Sequence, residues 1–183
     1  MSTLLLIEQT NKIDAMDDEF ISEINQNIGI AHKVCRIYFS STAEYEDVLQ
    51  EMMYQLWRSY KTFDGRSKFS TWMYKVCLNT ALTYQRKYQR DKTESLELKH
   101  QQIQAEPASE KNQTMALLYK AIERLLPLNR AIILLYLEDM SYEEIANIIG
   151  LTKSNISVKL VRIKKQLETE LRNTIISSED VNY

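Results

Sequence analysis

The sequence has very few residues that force a helix to stop. Its 183 residues include three glycines and two prolines, whereas residues with a high helix propensity are plentiful. This shortage favours an all-α protein. The length lies near the upper end for one domain and is sufficient for two small ones.

Long apolar runs are also missing. No stretch approaches the roughly 18 apolar residues that identify a transmembrane helix, and the apolar start Met1–Ile7 is too short and lacks the basic flank of a signal peptide. We therefore expect no membrane insertion and a cytoplasmic protein.

Cysteine and histidine are scarce, with two of each in the chain. Cys35 and Cys77 stand among apolar residues at helical spacing, which is typical of buried thiols that act as small hydrophobes. His32 and Cys35 could supply half of a metal site, but no second pair lies nearby. We expect neither a metal nor a cofactor.

Charge is nearly balanced but unevenly distributed. The chain has 23 basic and 25 acidic residues, and its formal net charge of −2 alone would argue against a nucleic-acid-binding protein. However, residues 1–23 contain six acids and one base, residues 44–51 four acids and no base, and residues 153–165 five bases and no acid. Such segregation suits one acidic surface for a basic protein and one basic surface for phosphates.

Apolar periodicity predicts three helices in the first half of the chain. The first covers Asp18–Phe39, and a second follows the capping box formed by Ser41 and Glu44. A loop over Thr62–Ser70 turns at Gly65, and Ser70 is the predicted N-cap of the third helix.

The helical pattern weakens between the two halves of the chain, where polar residues dominate and Pro107 interrupts. We predict an all-α fold of two small helical domains, a three-helix domain and a helix-turn-helix domain, joined by a flexible linker. The predicted boundaries are an acidic N-terminal segment (1–17), the first domain (18–92), the linker (93–112), the second domain (113–174) and a C-terminal tail (175–183).

The second domain contains the pattern of a helix-turn-helix. Ser141 and Glu144 form a capping box for a short helix, Gly150 stands at its predicted C-terminal turn, and Thr152 is the expected N-cap of the next helix. A helix with a basic outer face fits the major groove, where residues near its start reach the base edges. The alternative is a solvated helix pair in an ordinary bundle.

The third helix offers a different nucleic-acid surface. Polar and basic residues share one face, and an aromatic-rich loop precedes them. Unpaired bases stack on aromatic rings while basic side chains follow the phosphates. The competing interpretation is that Trp72, at helical spacing, belongs to the core.

Two stretches resemble the extracytoplasmic-function group of sigma factors of bacterial RNA polymerase. The run from Ala43 to Trp57 looks like the region two helix that docks on the polymerase, and the resemblance implies Asp47, Gln50 and Glu51 as contacts to the core enzyme. The run from Phe63 to Tyr74, with Asn79, is similar to the segment that melts and reads the minus-ten element. The residues expected to contact this element are Phe63, Arg66, Lys68, Phe69, Trp72, Tyr74, Lys75, Asn79 and Arg86.

The second stretch, Leu125–Arg130 followed by Ser141–Ala146, looks like region four, which reads the minus-thirty-five element. The residues expected to contact that element are Lys153, Ser154, Asn155, Ser157, Val158, Val161, Arg162 and Lys165. Val161 stands where larger side chains often occur in the family. The preferred DNA sequence therefore cannot be copied from relatives.

The resemblance implies a non-catalytic subunit that binds core RNA polymerase and promoter DNA, both double-stranded and melted, and melts promoters by binding energy alone. Many such proteins are held inactive by an anti-sigma factor, so we expect one as a partner. The alternative is a helix-turn-helix regulator that binds duplex DNA without polymerase. An enzyme has little support, since no nucleophile set, phosphate loop or metal cluster occurs.

Overall fold

A computed structural model describes residues 18–39, 41–94 and 110–179, and within these ranges it contains eight helices and no strand. The helices are α1 (18–27), α2 (Gly29–Tyr38), α3 (Thr42–Tyr60), α4 (Phe69–Glu94), α5 (Glu110–Glu123), α6 (Pro127–Leu137), α7 (Tyr142–Ile149) and α8 (Lys153–Glu179). The predicted all-α class is confirmed.

Helices α1–α4 form the N-terminal group. Val34, Met52 and Met73 are fully buried where α2, α3 and α4 meet. The predicted helix over 18–39 is divided at Ile28, whose backbone nevertheless stays in the right-handed helical region. The division is therefore a short interruption rather than a change of direction.

The predicted start of the third helix was wrong in detail. Helix α4 begins at Phe69, so Ser70 is its second residue rather than its N-cap. The backbone N–H of Trp72 already donates to the carbonyl of Lys68 at 3.1 Å. Burial of the Phe69 ring against other aromatic rings outweighs the capping preference of serine.

Helices α5–α8 form the C-terminal group, and α6 is its most apolar helix. Pro127 occupies the first turn of α6, where its missing N–H leaves no helical bond unmade. All five residues from Ala131 to Leu135 are buried, because α7 and α8, together with α4 of the N-terminal group, pack against this helix. A helix as apolar as α6 needs such a position at the centre of a core.

The two groups pack against each other. The Tyr38 hydroxyl at the end of α2 donates to the carbonyl of Pro127 at 2.7 Å, and Lys33 pairs with Glu138 at 2.7 Å. Most of the predicted linker, residues 95–109, lies outside the described residues, as do residues 1–17 and 180–183 of the predicted terminal segments.

Candidate nucleic-acid and protein interfaces

The turn between α7 and α8 has the geometry of a helix-turn-helix. The Ser141 hydroxyl accepts the N–H of Glu144 at 3.2 Å, and the Glu144 carboxylate accepts the N–H of Ser141 at 2.9 Å. Gly150 takes the left-handed conformation with φ of 78°, and its N–H donates to Ala146 at 2.8 Å. The Thr152 hydroxyl then caps α8 by accepting the N–H of Asn155 at 3.2 Å. Each capping residue predicted for this turn is confirmed.

Helix α8 has two distinct faces. Ile156, Leu160, Ile163 and Leu167 are buried against the rest of the C-terminal group. The side chains predicted to read the minus-thirty-five element lie on the other side. Ser157 is half-buried, and the exposed ones are Lys153, Ser154, Asn155, Val158, Val161, Arg162 and Lys165.

Two apolar side chains stand out on this exposed face. Val158 and Val161 are 49% and 68% exposed, although valine is usually buried. Apolar side chains at these positions suit contact with a thymine methyl group in the major groove. Lys153 makes a loose surface pair with Glu143 at 3.7 Å, which leaves it free to move towards a phosphate.

The loop before α4 is shaped by an Asp–Arg contact. The Asp64 carboxylate accepts the backbone N–H of Arg66 at 3.1 Å and its Nε at 2.5 Å. Gly65, with φ of 70°, provides the predicted turn. Hydrogen bonds from Arg66, together with its charge, lower the pKa of the Asp64 carboxyl below its ordinary value.

The aromatic residues of this region form a cluster rather than an open stacking platform. Phe63, Phe69 and Trp72 lie within 5.8 Å of one another between ring centroids. The Tyr60 ring on α3 contacts all three at 6.2 Å. Phe69 is buried and offers no ring face to a base, contrary to its predicted role, whereas Phe63 and Trp72 are half-buried at the edge of the cluster.

Helix α4 presents a polar face beside this cluster. Lys75, Asn79 and Arg86 are exposed, as are Arg66 and Lys68 in the loop. Tyr74, by contrast, is 2% exposed, because α6 and α7 pack against α4 at this point. The expected contact of Tyr74 with DNA is therefore blocked in this arrangement.

The acidic start of α3 forms a separate surface. Asp47, Gln50 and Glu51 are exposed and share one side of the helix, since residues three and four apart are neighbours. The Glu51 carboxylate accepts a hydrogen bond from Gln55 at 2.7 Å. The opposite side of α3 buries Val48, Met52 and Leu56 in the core.

The charge pattern did not identify the residues that join the two groups. Arg130 donates through Nη1 to the carbonyl of Ile37 at 3.3 Å and through Nε to that of Leu125 at 2.9 Å. It thus places a cation at the C-terminal ends of α2 and α5, where the helix dipoles favour positive charge. Arg130 lies in the run Leu125–Arg130 that resembles region four, but nothing in that run signals a partner 93 residues away.

The cysteines are buried, as predicted. Cys35 and Cys77 are fully enclosed, and the Cys35 thiol contacts the Met52 sulfur at 3.6 Å. Burial raises the pKa of each thiol to about 12. In the described part of the chain, no three His, Cys, Asp or Glu side chains are grouped as a metal site would require.

Over the described ranges, no helix combines the length and the apolar character of a membrane span.

Two family models match the chain. The model of Sigma-70 region 2 matches residues 24–91, and the model of Sigma-70, region 4 matches residues 115–167. The first match covers helices of the N-terminal group, and the second covers the helix-turn-helix.

Curated relatives and solved structures agree with these matches. The chain is 25% identical to the ECF RNA polymerase sigma factor SigW of Bacillus subtilis over 181 residues, 91% of this chain and 95% of that one. It is also 25% identical to SigX of the same organism over 73% of this chain and 75% of that one. The fold is similar to the sigma factor RpoE in a co-crystal structure with the anti-sigma factor NepR from Bartonella quintana, with a TM-score of 0.73 and 21% identity over 84% of this chain and 97% of that one.

Proposed function

The chain belongs to the extracytoplasmic-function group of sigma factors, and from this membership we propose how its helices divide the work of promoter recognition. As a sigma factor, it directs transcription initiation by RNA polymerase. The predicted first domain (18–92) is assigned to core polymerase and the minus-ten element, and the predicted second domain (113–174) to the minus-thirty-five element.

The acidic side of α3 is the proposed docking site for core polymerase. Asp47, Gln50 and Glu51 are exposed together on a helix that is anchored by a buried apolar side. An exposed acidic patch on a rigid helix suits a basic protein surface, because complementary charge speeds association and selects the partner.

The loop and the polar side of α4 are the proposed minus-ten surface. Arg66, Lys68, Lys75 and Arg86 supply exposed positive charge for phosphates. The rings of Phe63 and Trp72 are half-buried at the edge of the aromatic cluster, and their accessible parts are the proposed contacts for an extruded base. Extrusion costs a few kcal/mol, and each stacked base returns about 1–3 kcal/mol, so melting needs no nucleotide hydrolysis.

The exposed side of α8 is the proposed minus-thirty-five surface. The single observation that supports this assignment best is the complete helix-turn-helix, in which Gly150 and two N-caps fix the angle between α7 and α8. Ser154, Ser157 and Arg162 are placed to contact base edges, while Lys153 and Lys165 suit the flanking phosphates.

Reconstituted transcription tests this function. The purified chain plus core polymerase is expected to start specific transcripts across a promoter library, and replacing Asp47 and Gln50 with Ala should reduce this initiation strongly. The matched control is Glu143→Ala, which removes one exposed carboxylate outside the proposed docking side. A chain that controls transcription equally well after the Asp47→Ala and Gln50→Ala changes would instead be a helix-turn-helix regulator that does not need core polymerase.

An anti-sigma factor is the proposed inhibitory partner. This proposal is supported by the fold similarity to RpoE, which was solved with the anti-sigma factor NepR. Because the protein acts on DNA and core polymerase, its proposed location is the cytoplasm. Its role as an initiation factor involves no covalent chemistry and no cofactor of its own.

A further inference from the structure

A tyrosine at the end of α3 contacts three other rings of the aromatic cluster. The Tyr60 ring lies 6.2 Å from those of Phe63, Phe69 and Trp72, measured between ring centroids. It is nearly parallel to the Phe63 ring, with 23° between the two planes. It meets the Phe69 and Trp72 rings edge to face, and both arrangements are favourable for aromatic pairs. Tyr60 therefore links the last turn of α3 to the loop and to the first turn of α4.

The backbone of Tyr60 holds the loop as well. The N–H of Phe63 donates to the carbonyl of Tyr60 at 2.9 Å. The N–H and the hydroxyl of Thr62 both donate to the carbonyl of Ser59, at 3.0 and 2.7 Å. These bonds between residues three apart close a tight turn directly after α3. Tyr60 thus holds Phe63 twice, once through its backbone carbonyl and once through its ring.

Helix α1 supplies a further partner for this tyrosine. Phe20 is buried, and its ring lies 5.0 Å from the Tyr60 ring between centroids. Burial first, and then the negative charges of Glu19 and Glu23 on α1, raise the pKa of the Tyr60 hydroxyl above its ordinary value. The hydroxyl therefore stays neutral near these carboxylates, and the ring is the part of Tyr60 that contacts the cluster.

The position of Tyr60 on α3 connects two proposed tasks. Gln50 and Glu51, which are proposed to contact core polymerase, lie about 15 Å from Tyr60 along the same helix at 1.5 Å per residue. Between them, Met52 and Leu56 are fully buried and anchor the helix in the core. One anchored helix therefore carries the docking residues and, at its end, the ring that supports the cluster.

The alternative is that Tyr60 serves only the stability of the fold. Core positions of the same helix, such as Met52, are fully buried, whereas Tyr60, Phe63 and Trp72 are all half-buried. Half-buried rings remove less apolar area from water than fully buried ones. Three of them grouped beside a loop with exposed basic side chains suit the capture of a base and its phosphates. The partial exposure thus favours a role in DNA binding in addition to packing.

We propose that Tyr60 is a positioning residue for promoter melting, and that its ring fixes Phe63 and Trp72 at the spacing and angle at which they receive an extruded base. The inference rests on the proposed minus-ten function of those two rings. Tyr60 acts through them and does not itself contact the DNA. Rings that are already ordered bind a base more favourably, because no free energy is spent on ordering them during capture.

Tyr60→Leu, which removes the ring and keeps an apolar side chain, tests the proposal in the complex with core polymerase. One promoter is supplied in two forms, a full duplex and a template whose minus-ten element is already unpaired. Permanganate reactivity of unpaired thymines measures the opening of the duplex. Tyr60→Leu should open it about tenfold more slowly than the wild type, because several ring pairs are lost. On the premelted template, at saturating protein, both should produce transcripts equally, since no base has to be extruded there.

Two further variants control for the chemical change itself. Tyr60→Phe keeps the ring and loses only the hydroxyl, so it should open the duplex at the wild-type rate. Tyr136→Leu makes the same change as Tyr60→Leu at a half-buried tyrosine of α6, and it should also open the duplex at the wild-type rate. The affinity of Tyr60→Leu for core polymerase should equal that of the wild type, because the Tyr60 ring packs against the cluster.

A second variant gives the same test if Tyr60→Leu loses helicity by circular dichroism. Phe20→Leu removes the α1 ring that lies beside Tyr60 and leaves Phe63 and Trp72 unchanged. It should slow the opening of the duplex about threefold, because one ring pair is lost. Transcription from the premelted template should again equal that of the wild type.

Wild-type opening rates in Tyr60→Leu, or in Phe20→Leu where that variant replaces it, would overturn the proposal. An equal loss on the duplex and the premelted template would overturn it too, since that pattern indicates a general structural defect. So would a Tyr60→Phe variant as slow as Tyr60→Leu. Failure of the proposed function has a different signature, because the wild-type protein with core polymerase would then start no specific transcript from either template.

Discussion

Arg162 is proposed to read a base, and its side chain takes no part in the core. It is exposed on α8, while its neighbour Ile163 is fully buried. A guanidinium can contact a guanine edge through two parallel hydrogen bonds, which an ammonium cannot do. The proposed recognition and the packing thus fall to two adjacent residues.

Replacing Arg162 therefore tests base reading directly. Arg162→Ala is expected to cost about 1–3 kcal/mol of binding free energy at one position of the minus-thirty-five element. Arg162→Lys should keep only the part of that free energy that a single positive charge supplies. Transcription from promoters with single changes in that element provides the measurement. Arg172→Ala, farther along α8, is the control, and an equal loss in both variants would contradict the assignment.

The buried thiols predict a dependence of stability on pH. Burial raises the pKa of Cys35 and Cys77 to about 12 in the folded chain, against about 8.5 for an ordinary thiol. Because the folded pKa is raised, their contribution is fully present below the unfolded pKa and is lost as pH rises towards the folded pKa.

The free energy of unfolding in urea should accordingly fall as the pH rises from about 8.5 towards about 12. A Cys35→Ala, Cys77→Ala double variant should be less stable throughout because of the cavities, but its stability should fall less steeply with pH. Parallel pH profiles for the two proteins would show that the thiols do not contribute.

At the scale of helices and turns, the sequence predicted a helix end correctly wherever all of its capping residues lie close together in the chain. The capping box at Ser141, the left-handed Gly150 and the Thr152 cap lie within a dozen residues and are all present in the structure. The Ser70 prediction failed because the position of the helix start depends on burial of Phe69 against Tyr60. Capping chemistry is local, whereas ring packing needs partners from other helices.

Two glycines predict opposite effects of the same substitution. Gly150→Ala should lower the free energy of unfolding by about 1 kcal/mol, since φ is +78° and alanine is strained there. Gly29→Ala should raise it by up to about 1 kcal/mol, because Gly29 lies in α2, and a Cβ there meets nothing within 4 Å. Urea denaturation of both variants tests this prediction. Changes of the same sign in the free energy of unfolding would contradict it.

At the scale of the whole molecule, the sequence predicted two helical units but not their contact. Lys33 and Glu138 are 105 residues apart, and a single surface ion pair leaves no periodicity in either segment. The burial of Tyr74 follows from that contact and was missed for the same reason. The exposed sides of α3 and α8 were predictable, because helical spacing alone separates them from the core.

The contact between the groups predicts one cooperative unfolding transition. Both tryptophans, Trp57 and Trp72, lie in the N-terminal group, so their fluorescence reports that group, whereas circular dichroism reports all helices. The two signals should change at the same urea concentration in the wild type. In Glu138→Lys the curves should separate. Separated curves already in the wild type would show that the groups unfold independently.

The two faces of α8 also bear on how such a protein can acquire new targets. The buried face, with Ile156, Leu160 and Ile163, supports the fold, while the exposed face carries the residues proposed to read the DNA. Exposed substitutions usually change stability by less than about 0.5 kcal/mol. Promoter preference can therefore change through mutation or design at positions such as Val158 and Val161 with little effect on folding. Substitutions on this helix face are thus a direct way to change which genes the protein controls.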